Sequence, residues 1–207
     1  MVQRGPERRL MMGGETQSVY YPGGDWSPVE REYWARALAP LRALPPRPRV
    51  LLLGLGGGTQ VHLVARATES ARITVIERDP AVVRVAGDWF GLGAVAGLEI
   101  LCRDAEAAIR HLALTRRRFD FVMEDISYLA PIADAIRRAR SLAALVAPGG
   151  VLVLNQHRRP AAQAVGEAIS DLLPLARLQR VRRLAENVLV FAGRPGPMRR
   201  DPRTASG

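Results

Sequence analysis

The 207-residue chain predicts an α/β fold: a doubly wound, mostly parallel sheet with an antiparallel edge, preceded by a small N-terminal β segment and a helix. Three observations predict it. Short apolar runs alternate with helical stretches through the middle of the chain. Those runs are apolar on both faces, as a parallel strand covered by helices on both sides requires. The segments between them, about 15 to 25 residues each, suit right-handed crossover helices.

Residues 1–14 are rich in Arg and Gly and are expected to be mobile, as is a tail over 195–207 dominated by Pro, Gly, Arg and Ser. The β-prone run 16–21 ends at Pro22-Gly23-Gly24 and predicts a small strand or hairpin. Ser27-Pro28-Val29-Glu30 then supplies an N-cap, a proline at the first helical position and a capping-box glutamate. A helix is expected from there to about Leu44, where Pro45-Pro46-Arg47-Pro48 stops it. Residues 15–48 thus precede a single domain over 49–194. Its strands are expected over 50–53, 73–76, 98–101, 119–123 and 151–154. Helices are expected over 60–67, 80–89, 105–112 and 132–145, the last closed by Pro148-Gly149-Gly150. A helix over 161–173 and two strands over 175–181 and 188–192 complete the antiparallel edge.

With 48% hydrophobic residues the chain buries one core and leaves little for a second domain. Its single cysteine, Cys102, cannot form an internal disulfide, which suits a reducing compartment. The N-terminus lacks the apolar stretch of a secretion signal, and no segment approaches the roughly 20 apolar residues that span a bilayer. A soluble cytoplasmic protein without a membrane partner is therefore expected. The formal charge of +10 raises nucleic acid as a partner. All 30 basic residues, however, are arginines, dispersed apart from 116–118, 137–140 and 180–183, and none of these clusters is interleaved with aromatics. They read as solvated surface, with nucleic acid kept as the minority reading.

The first βα junction, Val50 onward, runs Leu53-Gly54-Leu55-Gly56-Gly57-Gly58-Thr59. Glycines there let the chain turn sharply and let a ligand approach closer than any Cβ permits. The second strand ends in Glu77, 23 positions after Gly54, where a carboxylate can accept hydrogen bonds from both hydroxyls of a ribose. Otherwise Glu77 is a surface residue or a helix-cap partner for Asp79-Pro80. Asp104, after the third strand, can accept from an adenine amino group, cap the following helix, or do both. The sixth position of the glycine motif is Thr59 and not the Gly or Ala of the dinucleotide fingerprint, which favours S-adenosylmethionine over NAD.

Together with Thr74-Val75-Ile76-Glu77-Arg78-Asp79-Pro80, Trp89-Phe90-Gly91-Leu92, Arg103-Asp104-Ala105 and Phe119-Asp120-Phe121-Val122-Met123-Glu124-Asp125, this loop resembles the core of the spermidine synthase-like branch of class I methyltransferase folds. The likeness extends to Gln17-Ser18-Val19-Tyr20-Tyr21 and to Glu186-Asn187-Val188-Leu189-Val190-Phe191-Ala192. It implies a Rossmann-like domain that binds S-adenosylmethionine through Gly54, Gly56, Gly57, Gly58, Glu77, Arg78, Asp104, Ala105 and Gln17. By the same resemblance Asp125 stands where spermidine synthases place the aspartate that orients or deprotonates the attacking amine; alternatively it caps a loop or helix. Glu124 would support it if its side chain also turned inward.

Two departures separate the chain from aminopropyl transferases. Gly57 stands where they carry a loop aspartate for the amine of decarboxylated S-adenosylmethionine, and Tyr128 stands where a second aspartate grips the diamine. Without those carboxylates nothing offsets desolvation of polyamine charge, and Gly57 leaves room for the carboxylate of the intact cofactor. A methyltransferase acting on a small-molecule acceptor is therefore expected. An aminopropyltransferase and a non-catalytic adenosine- or RNA-binding protein are the alternatives. Tyr20, Tyr21, Ser127, Tyr128, Asn155 and His157 are the candidate acceptor-side residues, because ligands of open α/β sheets bind at the carboxyl ends of strands. His157 is either a base or a solvated loop histidine. No metal is expected, since His62, His111 and Cys102 lack ligand spacing. Trp26, Tyr33 and Trp34 suggest a homodimer face or a lid.

Overall fold

The computed structural model describes residues 1–126, 130–182 and 186–196. Seven strands form the main sheet: β4 (Arg49–Leu53), β5 (Arg72–Glu77), β6 (Leu98–Cys102), β7 (Phe119–Glu124), β8 (Val146–Gln156), β9 (Leu175–Arg182) and β10 (Glu186–Gly193). Their order is β6-β5-β4-β7-β8-β10-β9. The pairs from β6 through β8 are parallel, whereas β10 runs antiparallel to both β8 and β9. Helices α2 (Thr59–Ala67), α3 (Pro80–Trp89), α4 (Ala105–Leu114), α5 (Ile132–Ala143) and α6 (Arg159–Ile169) make the crossovers; a shorter α1 (Tyr33–Ala37) precedes them.

The two-sided apolar strands behave as their sequence demands. In β4, Leu51 and Leu53 enter the core cluster under α4, α5 and α6, while Val50 and Leu52 enter the cluster under α2 and α3. All four are fully buried. Truncating one such leucine to alanine costs about 2–5 kcal/mol, so this strand anchors the loop that follows it.

Three expectations change. Residues 1–14 form strands β1 (Val2–Arg4) and β2 (Glu7–Met12), which pair with β3 (Glu15–Tyr20) in an antiparallel three-stranded sheet. The glycines that read as mobility make turns: Gly13 and Gly14 carry φ of 58° and 82°, the positive values a two-residue hairpin turn requires. The helix expected over 27–44 is broken into a 3-10 turn at Ser27–Val29, α1, and a second 3-10 turn at Ala39–Ala43. Pro40 has no N–H to give a continuous helix, and its ring would clash with the carbonyl four residues back. Ser27 makes no side-chain cap bond. Finally, Pro148-Gly149-Gly150 lies within β8, where Phe119 and Phe121 pair with Val146 and Val151 across an irregularity in register.

Trp26 and Trp34, expected on a dimer face or lid, are buried with Val19, Tyr21 and Val29 in a third apolar cluster beneath the N-terminal sheet. No helix among the described residues is long and apolar enough to cross a membrane. Of the expected mobile tail, residues 197–207 lie outside the described residues.

Candidate functional site

From β4 the chain builds outward through β5 and β6, then returns to lay β7 on the other side of β4. The crevice outside the carboxyl ends of β4 and β7 is the switch point where ligands of open α/β sheets bind. A cleft opens there, lined among others by Gly54, Leu55, Gly56, Gln60, Asp125 and Asn155.

Gly54 and Gly56 bring bare backbone to this cleft, with φ of 93° and 51°. Gly57 and Gly58 serve the packing instead. A Cβ at Gly57 would lie 2.7 Å from the Phe90 ring, and one at Gly58 would lie 2.6 Å from Leu92 Cδ2. The room expected at Gly57 for a cofactor carboxylate is thus filled by Phe90. Strand β3 is strapped across the loop: the Gly57 N–H donates to Ser18 Oγ at 2.8 Å, and Thr59 Oγ1 both accepts from the Val19 N–H and donates to the Val19 carbonyl, each at 2.8 Å. Thr59, noted in the sequence as a departure from the dinucleotide fingerprint, is this buried clasp.

At the end of β5 the Glu77 carboxylate stands at the rim of the loop. Its Oε2 accepts the Leu55 N–H at 3.2 Å and its Oε1 the Asp79 N–H at 2.9 Å. The helix-cap alternative is therefore partly realised, and Asp79 itself caps α3 through the Ala81 N–H. Asp104 caps α4, accepting from the Ala107 N–H at 3.0 Å, and Ala105 is that helix's first residue. Arg78 is exposed.

Asp125 sits one residue beyond β7, its N–H bonded to the Leu53 carbonyl. Its carboxylate accepts from the Asn155 amide at 2.7 Å, the Tyr33 hydroxyl at 2.9 Å and, more weakly, Gln60 Nε2 at 3.4 Å. Burial pushes the Asp125 carboxyl up to about 7, against the pull of Asn155 and Tyr33 and with a further push from the Glu124 charge. Burial and then the neighbouring Asp125 likewise push the Tyr33 phenol well above its ordinary value. Asn155 donates a second bond to Asn187 Oδ1 at 2.9 Å, while its own buried Oδ1 finds no protein partner. Such an orphaned acceptor carries a desolvation cost that a ligand's donor relieves.

Glu124 turns away from the cleft: it is 2% exposed, accepts the Ile126 N–H, and faces Arg138 at 3.6 Å. Gln17 and His157 both line the cleft. Tyr20 does not; its ring packs 4.9 Å from His62 and 6.2 Å from Phe90, because alternate residues of β3 face opposite sides. Tyr21 joins the third apolar cluster. Ser127 and Tyr128 lie outside the described residues. The sequence reading missed Gln60, Asn187 and the role of Tyr33. Gln60 and Asn187 had a signal: each is a polar residue in a buried apolar context, beside the glycine loop and at the start of an apolar strand. Tyr33 had none, since only the folded N-terminal segment brings it across 92 positions to Asp125.

No protein-family model matches the chain. It is 25% identical over 146 residues to a polyamine aminopropyltransferase of Vibrio vulnificus strain CMCP6, a match covering 69% of this chain and 49% of the relative. It is 32% identical over 116 residues to an eEF1A lysine and N-terminal methyltransferase of Danio rerio, covering 51% of this chain and 17% of that protein. The chain thus spans half or less of the length of either relative. Among solved structures it is similar to human methyltransferase-like protein 13 in complex with SAH, with a TM-score of 0.67, 23% identity, and coverage of 82% of this chain and 85% of the other. It is also similar to spermidine synthase from Thermotoga maritima, with a TM-score of 0.69 and 16% identity over 89% of this chain and 64% of the other. The fold is therefore the one that class I S-adenosylmethionine-dependent methyltransferases share with spermidine synthases.

Proposed function

We propose that the chain is an S-adenosylmethionine-dependent methyltransferase acting on the nitrogen of a small-molecule amine. The residues present fit the cofactor: Gly54 and Gly56 present backbone without side chains to the cleft, and the Glu77 carboxylate stands beside Leu55 at its rim, within reach of a ribose. When bound, the cofactor supplies an electrophilic methyl carbon on a sulfonium.

The observation that carries the reading is Asp125, a carboxylate at the switch point whose hydrogen-bond donors among the described residues, Tyr33, Gln60 and Asn155, are neutral. A cationic amine gives it the charge partner it lacks. Among the described residues, the cleft and the chamber adjoining it are lined by Glu7, Glu15, Glu32 and Asp125, together with Arg9 and His157. An ammonium must lose its proton before its nitrogen can attack, and a carboxyl titrating near neutrality is matched to that transfer. The proton passes to Asp125. The nitrogen's freed lone pair would be the nucleophile for the methyl carbon that the bound cofactor supplies, with the electron pair of the carbon–sulfur bond leaving on sulfur. The Asn155 amide, which donates to Asp125 Oδ1, would hold that carboxylate toward the amine.

Aminopropyl transfer remains the second reading, supported by the Vibrio relative. Against it, Phe90 fills the space into which a side chain at position 57 would project. Turnover of a methyl-labelled donor against a panel of amines and phenols tests the proposal. Labelled amine product is expected, and Asp125→Asn should lower kcat by about 100-fold or more, the usual contribution of a general base. Preference for decarboxylated S-adenosylmethionine in calorimetry would reverse the ranking.

A further inference from the structure

Beside the cleft lies a second pocket of about 260 Å³, open to solvent and bounded by the N-terminal sheet, the 3-10 turn at 27–29, α1 and the β9–β10 edge, with Glu7, Arg9, Glu15 and Glu32 among its lining. Its apolar walls are Val19, Tyr21, Val29, Trp34 and Val181, each 1–8% exposed. Protein interiors pack to crystal-like density, with few voids larger than a water molecule. This pocket leaves one face of those apolar side chains without a packing partner. For scale, an apolar cavity of about 150 Å³ takes up a benzene ring.

The chamber and the cleft share Glu15, Thr16, Tyr33, Trp34 and Asn187. Two of these reach the reacting end directly: Tyr33 donates to Asp125, and Asn187 accepts from Asn155. At the opposite wall Glu7 is occupied by Arg9 and by Tyr21, whose phenol burial and Glu7 push up to about 12. A second ammonium there would have to compete with an arginine already in place.

Resting on the methyl-transfer reading above, we infer that the acceptor is a monoamine with a bulky apolar body, an aryl or branched alkyl group, which fills this chamber while its nitrogen reaches Asp125. The shape and lining set the class. A linear diamine would leave the side chains of Val19, Val29, Trp34 and Val181 without contact. A neutral apolar molecule would leave Asp125 unmet.

The test compares 2-phenylethylamine, n-propylamine and 1,4-diaminobutane, with binding followed by tryptophan fluorescence and transfer followed with a labelled methyl donor. In the native protein 2-phenylethylamine should bind and react with a kcat/KM at least about tenfold above the other two, since a buried phenyl contributes 1.4 kcal/mol or more. Val29→Phe and, independently, Val181→Phe fill the chamber, and each should cut the ratio of 2-phenylethylamine to n-propylamine kcat/KM by about tenfold, chiefly through KM, while affinity for S-adenosylhomocysteine is kept. Equal use of the three amines, a preference for the diamine, or an unchanged ratio in a folded chamber-filling variant would overturn the inference. Absence of S-adenosylhomocysteine binding in the native protein would instead overturn the methyltransferase reading. If the cofactor product binds but no amine is methylated, saturable binding of 2-phenylethylamine that either phenylalanine variant abolishes still supports the chamber, and its absence rejects it.

Discussion

At Asp125 burial and hydrogen bonding oppose one another, and burial prevails: the carboxyl titrates near 7, although Tyr33 and Asn155 both favour its charged form. The consequence for stability has a definite sign. Unfolded, an aspartate titrates near 3.9. Between about pH 4 and pH 7 the native state therefore holds a proton that the unfolded state has released, so stability falls as pH rises through that window. Thermal melts of the native protein from pH 5 to pH 8 should show Tm declining, and the decline should be shallower in Asp125→Asn, which does not titrate. Equal slopes in the two proteins would mean that the group is ionised throughout. Asp125 itself was legible in the sequence as a carboxylate closing an apolar strand. Its pairing with Tyr33 was not, because a hydroxyl 92 positions away carries no local signature of its partner.

The glycine loop shows how far an element can be read from its composition. Its presence after β4 followed from strand and spacing, yet the four glycines do not all border the cleft. Gly54 and Gly56 face the cleft, while Gly57 and Gly58 admit Phe90 and Leu92 from beyond α3. No feature of the run Gly56-Gly57-Gly58 distinguishes a glycine kept for a ligand from one kept for a neighbouring side chain. Installing the missing aminopropyl-transferase carboxylate by Gly57→Asp should accordingly fail. The side chain meets the Phe90 ring, and denaturant unfolding should register a loss of about 1–3 kcal/mol, the range for overpacking. No gain in affinity for decarboxylated S-adenosylmethionine is expected; such a gain would show that Phe90 yields and that position 57 faces the ligand after all. The parallel strands β4 to β7 were read to within a residue of their ends, whereas β8 begins five residues before the expected strand because Pro148-Gly149-Gly150 read as a helix stop. The broken helix over 27–44 was not read as such, since its start signal at Ser27-Pro28 outweighed Pro40 further along.

For the molecule as a whole, the α/β alternation predicted the sheet, and the sheet's strand order placed the cleft. The N-terminal sheet was the part composition misjudged: its Arg and Gly content resembled a mobile arm, but its glycines are turns and its third strand is clasped to the cofactor loop by Ser18 and Thr59. That clasp brings residues of the N-terminal segment, Glu15 to Ser18, Tyr33 and Trp34, to the cleft at the carboxyl ends of β4 and β7. The claim beneath all of this is that an adenosyl group lies over the glycine loop with its ribose held by Glu77. Calorimetric titration of S-adenosylhomocysteine into the native protein and into Glu77→Ala tests it most directly. Saturable binding to the native protein and an affinity about tenfold or more weaker in the variant, at unchanged Tm of the free proteins, is the predicted result. No binding to the native protein, or equal affinity in both, would contradict it.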